Sequence, residues 1–328
     1  MNFKEITMSF RHSVIALALA GALLGGCDKK EEAAAPVAEP AKVAVAANAG
    51  AANALQAQVQ AFQSNDLKAL LASALPPKEI ERMRTEWEEQ RKEPITEQER
   101  KEFAESWGKI TAPDGVDKIM AQIEPQMAEM KPQLPGLIAM MQGMGTMSIQ
   151  QSEQLTPEQK TQATQFMNGL GGWLTKTDFT DPALMRTSLA ALAQGLRSTG
   201  ITSLDDVHAM SFDQLLDKAG PAFAGVKNAL AAYGFSLDQI AQSVSSEVVS
   251  ETGDVAKLKV TYNLFGSPLN FESEMQKVEG RWYGKDMLEQ MEKAAAESLA
   301  EKNAEQEPAI AEGEDQAEDS DTTAEPES

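Results

Sequence analysis

The chain has 328 residues, of which 42% are hydrophobic and 24% are charged, a composition typical of globular proteins. Its 29 basic and 50 acidic side chains give a net charge of -21, which argues against binding to a nucleic-acid backbone. One cysteine excludes an intramolecular disulfide, and two histidines exclude a zinc site with three histidine ligands.

The N-terminus combines a basic front with a short apolar run. Lys4 and Arg11 precede the run, which covers the eleven residues 14–24. A helix that spans a membrane needs about twenty apolar residues. The pattern therefore predicts a secretory signal peptide over residues 1–26.

The apolar run ends in Leu24-Gly25-Gly26-Cys27, which resembles the lipobox of bacterial lipoproteins. The resemblance implies cleavage before Cys27 and a covalent lipid on its sulfur, often with a further acyl chain on the new amino group. Because two acyl chains anchor a protein stably, we expect a membrane-anchored protein on the periplasmic face, with no other cofactor. Asp28 resembles the signal for retention at the inner membrane, whereas Lys29 departs from its strongest form, so inner and outer membranes both stay open.

A tether is predicted directly after the signal peptide. Residues 27–52 are rich in alanine, proline, glutamate and lysine and offer no large apolar side chain for a core. A flexible chain of this length has a root-mean-square span of about 25–30 Å. The tether would lift the body off the lipid headgroups.

The predicted body covers residues 53–300 and is helical over residues 53–243. Thr96 and Thr156 are each followed three residues later by Glu or Gln, which is the pattern of a capping box at a helix start. Ser211 begins another helix in the same way. No internal repeat of fixed length is present, so a solenoid is not expected.

Methionine, proline and glycine are concentrated between Met120 and Met147. Because methionine adapts to varied apolar surfaces, this segment predicts a pliable hydrophobic flap that binds an apolar ligand or an envelope partner. Its candidate binding residues are Met127, Met130, Met140, Met141, Met144 and Met147. Two other interpretations stay open: plain core packing, and a Cu(I) site, because thioethers three residues apart suit a soft metal. The Cu(I) candidates are Met141, Met144 and Met147.

Two patterns resemble catalytic motifs but lack the structural context that those motifs need. Residues 169–172 are glycine-rich without a preceding strand, which predicts a flexible helix end rather than a phosphate-binding loop. His208 is the only histidine after signal cleavage. Asp205 and Asp206 beside it predict the first turn of a short helix, where negative charge is favourable, rather than a catalytic triad.

The hydrophobic pattern changes to period two near residue 244. Residues 244–285 therefore predict three to four antiparallel strands, and residues 286–300 predict a further helix. The expected hairpin is centred on Gly266-Ser267, with a bulge near Lys277. Its expected pairs are Leu264 with Leu269, Tyr262 with Phe271, Leu258 with Met275 and Lys259 with Glu274. The predicted fold class is α+β, a mostly helical body with a small C-terminal antiparallel meander.

Two short pieces resemble nuclear-transport-factor-2-like domains of secreted lipoproteins. They are Ser64-Asn65-Asp66 between two helices and the sheet-ending run of residues 278–283. The resemblance implies a small cone-shaped domain, whereas the long helical stretch between the pieces departs from that fold. We therefore transfer no pocket residue from that family.

The C-terminal end is strongly acidic. Residues 301–328 contain eleven acidic side chains and one lysine. Such a segment buries too little apolar surface to offset its ordering entropy. It predicts a disordered, solubilising tail.

Together these features predict a membrane-anchored, periplasm-facing lipoprotein that is not an enzyme. We expect it to bind an envelope protein or an apolar ligand, and no nucleic acid, through the methionine-rich segment. One alternative is Cu(I) handling by residues 120–147. The other is a hydrolase that uses carboxylates and hydroxyls, which would need a cleft with two or more buried carboxylates.

Overall fold

The computed structural model describes residues 49–306, and the chain folds as the predicted α+β class. Within these residues lie twelve helices and four strands. The helices are α1 (Ala49–Ser64), α2 (Leu67–Ala74), α3 (Pro77–Gln90), α4 (Glu97–Thr111), α5 (Gly115–Met130), α6 (Leu134–Gln151), α7 (Pro157–Lys176), α8 (Pro182–Ser198), α9 (Leu204–Ala209), α10 (Phe212–Ala232), α11 (Leu237–Gln242) and α12 (Lys285–Gln306). The strands are β1 (Ser245–Thr252), β2 (Val255–Leu264), β3 (Ser267–Val278) and β4 (Arg281–Gly284).

Several predicted segments lie outside the described residues: the signal peptide, the lipid on Cys27, the tether up to residue 48 and the tail from residue 307. The chain divides into one compact unit that ends at Met287 and a second unit that starts at Leu288. Helix α12 continues to Gln306 and so includes residues 301–306, which were predicted to belong to the tail.

The tether prediction was too long by four residues, because α1 begins at Ala49. Ala51 is fully buried against the sheet. At Gly50, an added Cβ would lie 2.5 Å from Nε1 of Trp282. Small residues allow close packing of a helix on a sheet, so at residues 49–52 the absence of large apolar side chains did not indicate a linker.

Helices begin where local capping pairs were predicted. Thr96, Thr156 and Ser211 each form a complete capping box. In this motif the N-cap side chain accepts the backbone N–H of the N3 residue, and the N3 side chain accepts the backbone N–H of the N-cap residue. Between α1 and α2, Asn65 adopts a positive φ of 58°. The Asp66 carboxylate then accepts the N–H of Ala69 at 2.9 Å and starts α2.

The four strands form one antiparallel meander in the order β1-β2-β3-β4. Its dry face carries the main core cluster of this region, and α1 covers that face. The buried members of the cluster are Ala51, Ala256, Leu258, Val260, Met275 and Trp282.

The predicted hairpin register was wrong by two residues. Strands β2 and β3 pair Leu264 with Ser267 and Tyr262 with Leu269. The connection is the two-residue turn Phe265-Gly266, whose φ values of 51° and 78° match the turn type that suits the twist of a hairpin. A shorter turn moves every partner by two positions, and because side chains alternate with period two, the buried face is unchanged.

The register change reassigns the remaining predicted pairs. Glu274 lies opposite Lys257, with a side-chain N–O distance of 3.4 Å, rather than opposite Lys259. Its other oxygen accepts from Lys285 at 2.8 Å. The observed partners of Phe271, Leu258 and Met275 are Val260, Ser273 and Ala256.

The predicted bulge near Lys277 was also wrong. Strand β3 runs unbroken to Val278, and the bulge lies in β1, between Val248 and Ser250. The connection from β3 to β4 is the two-residue turn Glu279-Gly280. This turn provides the change of direction for which the sequence pattern suggested a bulge.

Three tryptophans hold loops to the helical layer. The indole N–H groups of Trp87, Trp107 and Trp173 donate to the backbone carbonyls of Met210, Ile201 and Tyr233 at 3.0, 3.0 and 2.7 Å. A buried indole needs a hydrogen-bond acceptor, and each carbonyl comes from a distant connecting segment. The tryptophans therefore fix segments that the helix pattern alone leaves unplaced.

Replacing Tyr283 by phenylalanine is expected to raise the free energy of unfolding by about 1 kcal/mol, because a buried hydroxyl without a partner is costly. Tyr283 is 1% exposed, and its hydroxyl makes no hydrogen bond within the described residues. Urea denaturation measures the change, with Tyr233→Phe, at a partly exposed position, as the control. A clear loss of stability in Tyr283→Phe would show that the hydroxyl contributes a favourable interaction.

Candidate functional site

Helix α6 is an 18-residue helix without a charged side chain. Leu134, Ile138 and Ile149 are partly buried on one face. The main packing partner of α6 among the described elements is α7. A helix that is apolar on several faces is usually buried all round. Helix α6 is unusual because none of its residues is fully buried.

Glycines bring α6 close to α7. At Gly145, an added Cβ would lie 2.5 Å from Cε of Met167, and at Gly171 it would overlap the Gln142 side chain. At Gly169, it would lie 2.8 Å from Cβ of Phe265. The prediction of a flexible helix end over residues 169–172 is therefore wrong: these residues lie inside α7, where Gly169 and Gly171 make room for neighbouring side chains.

Both ends of the α6–α7 hairpin are held by lysines. Lys160 donates to the backbone carbonyl of Gln150 at 3.1 Å, at the end of α6 where a positive charge is favourable. Lys131, just before α6, donates to the Asp178 carboxylate at 2.7 Å. That hydrogen bond, together with one from Thr180, lowers the pKa of Asp178 to about 2.

An aromatic cluster joins α7 to the rest of the fold. Trp173 contacts the rings of Phe179, Phe235 and Phe265 at centroid distances of 5.2, 5.5 and 5.6 Å. Gln162, in the first half of α7, donates to the side chain of Asn270 in β3 at 3.3 Å. Helix α7 thus lies between the sheet region and α6, so α6 is an outer helix.

The outer side of α6 is exposed and apolar, and we call its five residues the methionine face. They are Leu137, Met140, Met141, Met144 and Met147, with exposed fractions of 49%, 57%, 46%, 65% and 59%. Their spacing of three and four residues places them along one side of the helix. Exposed apolar patches of this kind mark interaction surfaces.

The structure divides the six predicted binding residues between two helices. Four of them form most of the methionine face, whereas Met127 and Met130 lie near the end of α5. Met130 is 42% exposed and Met127 is partly buried. Met120, in the same methionine-rich segment, is 1% exposed, so its apolar side chain is accounted for by core packing.

Sequence reasoning missed Leu137. Its spacing of three, four and seven residues from Met140, Met141 and Met144 was available as a signal.

The three Cu(I) candidates follow one another at three-residue intervals along α6 and are exposed. Cu(I) binding by these thioethers stays a prediction. Among the side chains that the structure describes, there is no group of three His, Cys, Asp or Glu residues that could hold a metal ion.

His208 lies on the short helix α9, and the neighbouring acids have structural partners. Asp205 accepts from Arg100 at 3.0 Å. Asp206 accepts from Thr202 and completes a capping box with Ser203, and these hydrogen bonds, led by the one from the Thr202 hydroxyl, lower the pKa of Asp206 to about 2. The prediction that both acids occupy a first helical turn is confirmed.

The buried carboxylate pair that the hydrolase alternative needs is not seen among the side chains that the structure describes within residues 50–296. The buried polar or charged side chains there are Thr180, Thr199 and Lys227. An open cleft of about 320 Å³ lies between α4 and the loop after α8. Its lining includes Trp107, Thr111, Arg197 and Thr202 and none of the methionine face.

In the part of the chain that the structure covers, no helix combines the length and the apolar character needed to cross a membrane. No protein-family model, no curated protein and no solved structure matches the chain.

Proposed function

We propose that this protein is a lipid-anchored, periplasm-facing protein whose methionine face binds an amphipathic helix of another envelope protein. The proposal is carried by one observation: a helix without charges exposes four methionines and a leucine in a single row. An amphipathic helix of a partner can pack its apolar face on such a surface, because its apolar side chains also recur every three to four residues.

An open surface favours a protein partner over a small apolar ligand. Small ligands bind in concave sites that enclose most of their area, whereas the methionine face lies on the outer side of α6. The methionine side chain is unbranched and can rearrange around different partner side chains. These properties suit a broad and adaptable contact.

Charge supports a partner with basic flanks. Glu129 and Glu153 are exposed close to the two ends of α6, and the chain as a whole carries a net charge of -21. Lys131, the basic residue between α5 and α6, already binds Asp178. Lysines or arginines beside the partner's apolar face would complement these acids and speed association.

The predicted anchor would keep the methionine face near the membrane. Residues 28–48 separate Cys27 from the start of α1. A flexible segment of this length has a root-mean-square span of about 25 Å. Partners embedded in or attached to the same membrane would then be favoured over partners in solution.

Site-specific crosslinking in living cells tests the identity of the partner. A photoreactive amino acid at Leu137 is expected to capture another envelope protein through an apolar helix with basic flanks, located by mass spectrometry. The same amino acid at Val249, which is 56% exposed on β1, is the control. Crosslinking only to a second copy of this chain, only to lipid, or to no target would overturn the proposal.

Changing Met140, Met141 and Met144 to glutamine is expected to reduce crosslinking from position 137 by roughly tenfold, because the central apolar side chains of an interface carry most of the binding energy. Glutamine resembles methionine in length and helix propensity, and all three positions are exposed, so the fold should be unchanged. The yield of crosslinked product measures the effect, with Val249→Gln as the matched control. An unchanged yield from the triple variant would mean that the methionine face does not bind the partner.

Changing Cys27 to alanine is expected to abolish labelling by an alkyne-bearing fatty acid and to move the protein out of the detergent phase, because the acyl chains supply the anchoring energy. In-gel fluorescence after metabolic labelling measures the first effect. Asp28→Ala keeps the cysteine and should keep the label. If Cys27→Ala is labelled as strongly as the unchanged chain, position 27 is not the lipidation site.

A further inference from the structure

We propose that Met140, Met141, Met144 and Met147 are a site of reversible oxidation to methionine sulfoxide, and that this modification turns off binding at the methionine face. The oxidant is a peroxide or a hypohalous acid. The modification itself follows from exposure and chemistry, whereas its effect on binding rests on the proposed function.

Thioethers are the oxidisable sulfur groups in the folded body. The single cysteine is Cys27, so residues 49–306 contain methionine as their only sulfur residue. Among these residues the exposed methionines are confined to one stretch, Met130 to Met147. In contrast, Met120, Met185 and Met275 are 1%, 4% and 2% exposed.

The reaction needs access to the sulfur but no catalytic group from the protein. A sulfur lone pair attacks one oxygen of hydrogen peroxide, the O–O bond breaks, and the products are the sulfoxide and water. With hypochlorous acid, the same oxygen transfer releases HCl. In both cases the thioether is oxidised by two electrons and the oxidant is reduced by two, and methionine sulfoxide reductases reverse the change.

Because the four methionines lie on the surface, their oxidation should affect binding without lowering the stability of the fold. Gly145 and Gln142 of α6 meet Met167 and Gly171 of α7. Leu134, Ile138 and Ile149 of α6 are partly buried, whereas the four methionines are exposed. A sulfoxide on the exposed side therefore makes the surface polar without opening the core. By the same reasoning, oxidation of buried Met120 would disrupt packing against α4 and α8, which contact α5.

Graded treatment of the full chain in detergent with hydrogen peroxide tests the selectivity. Peptide mass spectrometry should show sulfoxide forming roughly tenfold or more faster at the four methionines of the methionine face than at Met120, Met185 and Met275, because access to sulfur limits the rate. The melting temperature should stay unchanged while only the four have reacted. Equal rates at exposed and buried positions, or loss of the folded state with the first oxidation, would overturn the proposal.

Crosslinking from position 137 tests the effect on binding. Brief peroxide treatment of cells should reduce the crosslinked product by roughly tenfold, and recovery should follow reduction by the cell's sulfoxide reductases. The matched variant changes the four methionines to leucine, which is apolar and resists oxidation. Relative to its own untreated yield, this variant should lose no crosslinked product on peroxide treatment, whereas the same fractional loss as in the unchanged chain would refute the switch.

The two proposals fail in different ways. If neither the untreated chain nor the leucine variant crosslinks to another protein, the proposed function is wrong, and the control of binding by oxidation is wrong with it. If both crosslink and full oxidation of the four methionines leaves the yield unchanged, only the oxidation switch is wrong.

Discussion

Replacing Gly195 by alanine is expected to lower the free energy of unfolding by about 3 kcal/mol, because α8 and α10 touch backbone to backbone at this point. An added Cβ at Gly195 would lie 2.6 Å from Cα of Gly225 and 2.8 Å from the carbonyl oxygen of Pro221. Neither atom belongs to a flexible side chain, so relief requires the two helices to move apart. Alanine is favoured over glycine inside a helix by about 1 kcal/mol, which is too little to offset that movement.

The matched control for Gly195→Ala is Gly172→Ala in α7. An added Cβ at Gly172 meets no atom within 4 Å, so alanine there should stabilise the protein by about 0.4–1 kcal/mol through a less flexible unfolded chain. Urea denaturation of both variants, made in the chain that lacks residues 1–26, shows whether the two changes in the free energy of unfolding have opposite signs. A neutral or stabilising effect at Gly195 would show that α8 and α10 do not touch as described.

Replacing Lys227 by methionine is expected to cost about 2–3 kcal/mol of stability, because a buried ammonium that makes charged hydrogen bonds is removed. The Lys227 side chain is 3% exposed, and its Nζ donates to the carbonyls of Phe62 and Gln63 at 3.0 and 3.2 Å. These carbonyls belong to the last turn of α1, where a positive charge is favourable. Nζ also pairs with Asp238 at the start of α11, so one side chain connects α10, α1 and α11.

The control for Lys227→Met is Lys218→Met, on the exposed side of the same helix. It keeps the chemical change and should alter stability by less than about 0.5 kcal/mol, as is usual for a surface substitution. Asp238→Asn should fall between the two, because the ammonium keeps both carbonyl acceptors and loses only a partner that is itself 41% exposed. Thermal unfolding of the three variants ranks the effects. If Lys227→Met and Lys218→Met are equally stable, the buried lysine does not hold the three helices together.

Local signals in the sequence predicted the helix starts and the sheet faces well. The capping boxes at Thr96, Thr156 and Ser211 depend on side chains three residues apart, so no distant contact is needed to define them. The alternation along β2 likewise identified the buried residues Leu258 and Val260. The register was less determined, because the two-residue turn at Phe265-Gly266 and a longer turn both keep the same side chains on the dry face.

The candidate site was predicted by composition but not by geometry. The sequence identified the methionine-rich segment, yet its spacing is equally consistent with a buried core. Burial depends on which helices lie alongside: α4 and α8 pack on α5, where Met120 is buried, whereas α6 packs mainly on α7 and Met144 is exposed. That distinction separates a core residue from an exposed candidate for binding.

The sequence by itself determined the fold class, the helix starts at Thr96, Thr156 and Ser211, and the absence of charge along α6. Each of these depends on residue identity or on neighbours within about one helical turn. Only the tertiary structure decided that Gly195 and Gly225 meet, that Lys227 lies beneath α1, and that one side of α6 has no partner within the described residues. These features depend on contacts between residues tens of positions apart. The hydrophobic pattern of a helix predicts which face is buried, but it does not predict which element packs against that face.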